Sequence, residues 1–98
     1  MDDLTAFQRD ILFVVAGNDL PHGLAIKEEL DDYYNEEINH GRLYPNLDDL
    51  VDMGLLEKGE RDRRTNEYEV SDRGVREIVA RRRFEDELVE EVLEEVEA

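Results

Sequence analysis

The chain contains no cysteine, only two histidines and only two lysines, and each shortage removes a class of function. Without thiols there is no disulfide framework, no thiol redox sensor and no Cys-based zinc site, and two isolated histidines make no metal cluster alone. No apolar run approaches the roughly 20 residues that a membrane span needs. Met1-Asp2-Asp3 is acidic, unlike the basic head of a signal sequence, so a soluble, cytoplasmic protein with no membrane partner is expected. No nucleophile sits beside a plausible base, no Gly-rich phosphate loop occurs, and the carboxylates fall on helix surfaces where nothing desolvates them. The expectation is a protein that is no enzyme and needs no metal and no cofactor.

What fills the chain instead is carboxylate. Twenty-eight Asp and Glu face twelve Lys and Arg, ten of them Arg, for a formal net charge of −16 over 98 residues. This carboxylate-rich, lysine-poor composition resembles that of cytosolic proteins of extreme halophiles, whose surfaces stay solvated in concentrated salt; an ordinary acidic protein is the alternative. The charge is unevenly spread. Residues 1–55 hold 13 acids and 3 bases, residues 56–84 hold 7 acids and 9 bases, and residues 85–98 hold 8 acids and no base. Only the middle segment offers a surface suited to a polyanion. A chain this short fits one domain with one small core, and such domains often borrow burial from a second copy.

Hydrophobic periodicity divides the chain into four helices and a hairpin. Thr5 can cap a first helix with Gln8 reaching back in a capping box, and Phe7, Ile11, Leu12, Val14 and Val15 form its apolar face up to a stop at Gly17. After the turn Asn18-Asp19-Leu20-Pro21, the residues Leu24, Ala25, Ile26, Leu30, Tyr33 and Tyr34 mark a second helix. An extended piece, Glu36 to Asn39, leads to a third helix and has room for a short strand. The stripe Leu43, Leu47, Leu50 and Val51 defines that third helix. Pro45 lacks an N–H, which places it in the first turn and the helix start near Gly41 to Tyr44. Gly54 ends it. Leu55 to Glu60 and Glu67 to Val70 then alternate as two strands around a six-residue tip.

Ser71 can cap a fourth helix that runs to the end of the chain. Its early apolar residues, Val75, Ile78 and Val79, are near enough to return to the core. The late ones, Phe84, Leu88, Val89, Val92, Leu93 and Val96, lie up to about 27 Å farther along at 1.5 Å per residue. A stripe projecting so far needs another stripe, and a second copy of the same helix in a two-fold pair supplies one. A frayed tail is the other reading, because eight carboxylates crowd the end that the helix dipole makes negative.

A third helix followed by a strand and a hairpin tip carrying Arg61, Arg63, Arg64 and Thr65 is the order in which a winged helix-turn-helix grips duplex DNA. The segments Pro21-His22-Gly23, Gly41-Arg42-Leu43-Tyr44-Pro45-Asn46-Leu47, Gly54-Leu55-Leu56 and Tyr68-Glu69-Val70-Ser71-Asp72-Arg73-Gly74 resemble the PadR family of transcriptional regulators over nearly the whole chain. The resemblance implies a dimeric winged-helix repressor, similar to haloarchaeal-like short members that dimerise through one C-terminal helix. The expected fold is therefore mainly α with a small β-hairpin, in the order H-H-H-E-E-H. Residues 1–74 form the winged helix-turn-helix domain and residues 75–98 the dimerisation helix. The expected partners are double-stranded DNA and a second copy, with a small effector between the paired helices and the first helix a further possibility.

The third helix departs from the usual pattern, since its outer face holds Pro45, Asp48, Asp49 and Asp52. Either the helix enters the groove tip-first, bringing Asn39, His40, Arg42, Tyr44 and Asn46 to DNA, or an Asp accepts from cytosine N4 or points to water. A third alternative is a winged-helix protein-interaction module that has lost DNA binding, with the Asp face as its docking surface. Each basic candidate also has a purely structural alternative. The wing arginines can pair with Glu60, Asp62 and Glu67, and Arg42 with Asp49 or Glu37. Tyr44 can pack on the second helix, His40 can be merely exposed, and Arg81, Arg82 and Arg83 can pair with Glu85, Asp86 and Glu87.

Overall fold

A computed structural model of the chain describes residues 1–97. Residue 98, the last of the expected dimerisation helix, lies outside the described residues. The elements are α1 Ala6–Ala16, α2 Gly23–Tyr34, α3 His40–Asp52, β1 Leu56–Asp62, β2 Thr65–Val70 and α4 Asp72–Glu97. This is the helical winged-helix order read from the sequence.

Local chemistry sets the element ends. Thr5 Oγ1 accepts from the Gln8 amide at 3.1 Å while Gln8 Oε1 accepts from the Thr5 amide at 3.1 Å, which closes the capping box of α1. Asn35, in the left-handed region at φ 55, ends α2. Asn39 caps α3 through its side-chain oxygen, which accepts from Gly41 N–H at 2.6 Å. Gly54 leaves α3 at φ 76, a conformation that costs glycine nothing and other residues strain.

The third helix starts earlier than its proline implies. Because Asn39 caps it, Pro45 is the sixth helical residue and lies in the second turn. Its missing N–H deprives only the Gly41 carbonyl, and Gly41 is exposed, so water can stand in for the lost donor.

The core lies between α1, α2, α3 and the inner face of the hairpin. Ile11, Leu12, Ile26, Leu30, Leu43, Leu47 and Leu50 are completely buried, and Tyr68 of β2 closes the base. Two apolar positions of α2, Leu24 and Tyr33, instead face solvent, while Lys27 is buried, 7% exposed. Lys27 Nζ meets Asp31 at 2.8 Å and Glu37 at 3.7 Å, and Asp31 also accepts from the Ile38 amide at 2.6 Å. This network ties α2 to the approach to α3.

The hairpin is longer than expected and its tip shorter. β1 and β2 pair antiparallel from Leu56↔Val70 to Asp62↔Thr65, with an irregularity between Glu60 and Asp62. Only Arg63 and Arg64 remain as the turn. The bulge at Arg61 and the Asp62 carboxylate, which accepts from Arg64 N–H at 2.9 Å, let two residues close what the sequence pattern left to six. No strand forms at residues 36–39. The hairpin instead gains an edge contact from the turn before α2, where His22 bridges Glu67 and Tyr68 N–H donates to the Pro21 carbonyl at 3.0 Å.

Ser71 joins the hairpin to α4, its hydroxyl donating to the Gly54 carbonyl at 2.6 Å and accepting from Gly74 N–H at 3.0 Å. The helix then runs past the chain's N-terminus, where the Met1 amino group meets Glu77 at 3.1 Å, before it projects from the domain. Ile78 alone of its early residues packs on the core, whereas Val75 and Val79 are 49% and 42% exposed, contrary to the expectation that all three would return to it. The close seat of Gly74 against Leu55 and Val70 directs the first turn along the hairpin base and turns these valines outward. The molecule measures 52 × 30 × 23 Å.

That seat is testable. A Cβ at Gly74 would collide with the Leu55 carbonyl oxygen and lie 2.6 Å from Val70 Cγ1. Gly74→Ala is expected to cost about 1–3 kcal/mol, as overpacking does, seen as a lower denaturation midpoint at unchanged slope; an unshifted midpoint would refute the close seat.

Candidate nucleic-acid interface

Three elements converge on one side of the domain: the N-terminal end of α2, the N-terminal half of α3, and the hairpin tip. Between them lies a cleft of about 390 Å³ lined by His22, Gly23, Leu24, Tyr44, Arg64, Thr65, Asn66 and Tyr68. Tyr44, 36% exposed, leans over Gly23 so closely that a Cβ there would collide with its hydroxyl. The Tyr44 ring also lies 5.6 Å from that of His40. His40 is exposed at the first position of α3.

Arg64 lines this cleft, Arg61 reaches its lining residue His22 and Arg63 shares the hairpin turn with Arg64, and all three arginines are exposed. Among the described residues none of them forms an ion pair with Glu60, Asp62 or Glu67. Arg61 instead lies 3.3 Å from His22 Nδ1. The Asp62 carboxylate is engaged by the turn: the Arg64 amide first, then the Thr65 hydroxyl and amide and the nearby charge of Arg61, hold its pKa below the usual carboxylate value against the opposing effect of burial. The wing thus presents guanidinium groups to solvent.

Farther along α3 the surface turns acidic. Asp48, Asp49 and Asp52 are exposed. Asp48 meets Lys58 of β1 at 3.5 Å, a pairing that sequence spacing did not reveal because it joins different elements. Along α4, Arg81 pairs with Glu85 at 3.3 Å, one of the three pairings open to Arg81, Arg82 and Arg83.

Two candidates on α3 point toward α1. Arg42 pairs with neither Asp49 nor Glu37 among the described residues; its guanidinium carbon lies 3.9 Å from the Phe7 ring centroid. Asn46 accepts from Gln8 Nε2 at 3.1 Å and donates to the Arg42 carbonyl at 2.7 Å, so its amide is engaged within the domain. Asn39 likewise uses its side-chain oxygen as a cap. Phe7 and Gln8 were legible only as a core residue and a capping-box partner, and their second contacts depend on how α1 and α3 cross.

Behind this contact Tyr34 donates to Asp10 Oδ2. Burial first, then this bond to a carboxylate, pushes the Tyr34 hydroxyl up to about 12.

On the far side, the apolar stripe of α4 is uncovered. Phe84, Leu88, Val89, Val92, Leu93 and Val96 are all exposed, and Val75 and Val79 extend the exposed apolar surface toward the domain. No described helix is long and apolar enough to cross a membrane.

Four helices, a two-stranded hairpin and a basic wing beside the third helix define the winged helix-turn-helix class of transcriptional regulators, which are not enzymes. Residues 11–80 match the model of the transcriptional regulator PadR-like family, and the chain belongs to that family. It is 48% identical to RosR of H. salinarum, with a TM-score of 0.83 over 99% of this chain and 95% of that one. The same protein in crystals grown from NaBr superimposes with a TM-score of 0.82 over 98% and 96% of the two chains. Streptococcus pneumoniae FabT in complex with DNA shares the fold at 19% identity, with a TM-score of 0.75 over 94% of this chain and 62% of that one. No curated protein matches the chain.

The buried hydroxyl predicts a pH response. An unfolded tyrosine titrates near 10, so the folded state holds the Tyr34 proton more tightly. Its stabilising effect is complete below pH 10 and is lost as pH rises through about 12. Tyr34→Phe is expected to flatten the loss of thermal stability across that window, leaving the part contributed by Tyr68, which burial also raises. Equal slopes in the two proteins would refute the coupling.

Proposed function

We propose that the protein is a homodimeric, sequence-specific DNA-binding repressor that works in the cytoplasm at high salt. The observation carrying this reading is the exposed cluster Arg61, Arg63 and Arg64, none of them in a side-chain ion pair among the described residues, beside the N-terminal end of α3 on a chain of charge −16. Structural ion-pairing would consume these arginines; contact with phosphates or a narrow minor groove requires them as they stand. Tyr44 and Thr65 line the same cleft, His40 lies beside Tyr44, and together they complete the docking surface, while Asn39 and Asn46 hold the end of α3 in place.

Dimerisation follows from the uncovered face of α4. Residues 75–98 act as the dimerisation helix, with Phe84, Leu88, Val89, Val92, Leu93 and Val96 buried against their counterparts in a second copy. A two-fold pair places two α3 helices on a pseudo-palindromic site about one DNA turn apart. The likeness to a haloarchaeal regulator supports the DNA-binding part of this reading.

Salt dependence should be unusual. Phosphate contacts normally weaken with salt by about 0.9 log units per phosphate for each log unit of salt. Two copies of charge −16 repel DNA at low ionic strength, and at 1 M the Debye length of about 3 Å removes that repulsion while sparing contact-range hydrogen bonds. Affinity is expected to persist or rise as KCl approaches molar levels, measured by fluorescence anisotropy. A monotonic decline from 0.1 M upward would contradict it. In the same assay Arg63→Glu with Arg64→Glu is expected to weaken binding on the order of tenfold or more. Unchanged binding, together with loss of a co-purifying protein on Asp48→Lys with Asp49→Lys, would favour an interaction module instead.

The dimer has its own test. Val89→Glu with Leu93→Glu is expected to give a monomer in analytical ultracentrifugation at molar KCl, with the folded domain retained. A monomeric wild-type chain under those conditions would exclude the helix pairing.

A further inference from the structure

We infer that Phe7 of α1, outside the DNA-contacting elements, is a positioning residue for DNA readout that holds Arg42 ready to engage a pair of acceptors on the duplex. The inference rests on the DNA-binding reading above. Arg42 is the only Lys or Arg in α3, a helix otherwise lined outward by Asp48, Asp49 and Asp52. Its guanidinium carbon stands 3.9 Å from the Phe7 centroid. Phe7 is itself fixed, 6% exposed, with the Tyr34 ring 6.0 Å away and Tyr34 tethered to Asp10.

The chemistry of a stacked guanidinium differs from that of an ion-paired one. A carboxylate partner occupies the in-plane N–H donors, which DNA must then win back. An aromatic face holds the cation from above and leaves the in-plane edge unoccupied, suited to guanine O6 and N7 or to two phosphate oxygens. Stacking acts at contact range, so concentrated salt weakens it far less than a solvent-exposed ion pair. An acidic protein working in strong salt can thereby keep a recognition arginine ordered without a carboxylate beside it.

The same turn of α1 holds the other end of the residue. Gln8 bridges the Thr5 amide and Asn46, and Asn46 donates to the Arg42 carbonyl. Both the backbone and the guanidinium of Arg42 are therefore referenced to α1. Ordering a long side chain before binding lowers the entropy lost on association, which is the benefit Phe7 provides.

A double-mutant cycle separates this role from packing. The probes are a duplex recovered by the wild-type protein from a randomised pool and a scrambled duplex of equal composition, both in molar KCl. Phe7→Leu keeps apolar bulk and removes the π face; it is expected to weaken the selected duplex about three- to tenfold. Arg42→Ala is expected to cost more, and Phe7→Leu to cost nothing further once Arg42 is gone. Loss on the selected duplex alone identifies a base edge as the acceptor, and equal loss on both duplexes identifies phosphate. Phe7→Leu costing the same with and without Arg42, or Arg42→Ala leaving affinity intact, would overturn the inference while sparing the DNA-binding reading. Failure of the folded wild type to enrich any sequence would overturn both. Independent of DNA, the Arg42 side-chain protons of the wild type should show an upfield ring-current shift in NMR, absent in Phe7→Leu; a shift absent from the wild type would show that no stack exists.

Discussion

The complete burial of Leu43, Leu47 and Leu50 governs the rest of the molecule. Burying each leucine side chain is worth about 1.5–3 kcal/mol, far more than a single exposed charge contributes at the surface. The rotation of α3 about its axis is therefore set by these three residues, and everything else on the helix takes the direction left to it. Arg42 and Asn46 fall toward α1, Tyr44 toward the N-terminal end of α2, and Asp48, Asp49 and Asp52 toward solvent. The acidic outer face is thus a consequence of the core stripe.

That rotation also decides how a strongly acidic chain can present a cationic surface. With α3 acidic over its later turns, the positive groups come from elsewhere: the two-residue turn of the hairpin, and Arg42 at the start of the helix. In both places, among the described residues, the guanidinium groups are not locked into a side-chain ion pair. Asp62 is held by backbone amides of its own turn, Asp48 by Lys58, and Arg42 by an aromatic ring. Lys27, the other lysine, is buried in a network that binds α2 to the approach to α3, so both lysines serve intramolecular ion pairs.

Much of this was legible beforehand because it rests on local chemistry. The capping box at Thr5, the stop at Gly54 and the helical stripe of α3 all follow from side chains acting within a few residues. The failures share a different cause. Propensity alone puts Pro45 in the first turn, but a single missing N–H is tolerated where an earlier cap extends the helix. The sequence pattern allots six residues to the tip because a bulge leaves no mark in it. Leu24, Tyr33, Val75 and Val79 have the right spacing for a core, yet spacing says nothing of whether another element comes near.

By itself, then, the sequence determined the order and hydrophobic faces of the elements, the unequal distribution of charge and the family resemblance, since each depends on neighbours along the chain. Tertiary structure alone decided which of those faces found cover and which cations stayed unpaired. Phe7 under Arg42, Gln8 against Asn46, Lys58 beside Asp48 and the outward turn of α4 all depend on the relative placement of separate elements. That placement is set by how the whole core closes, a long-range outcome that no local pattern records.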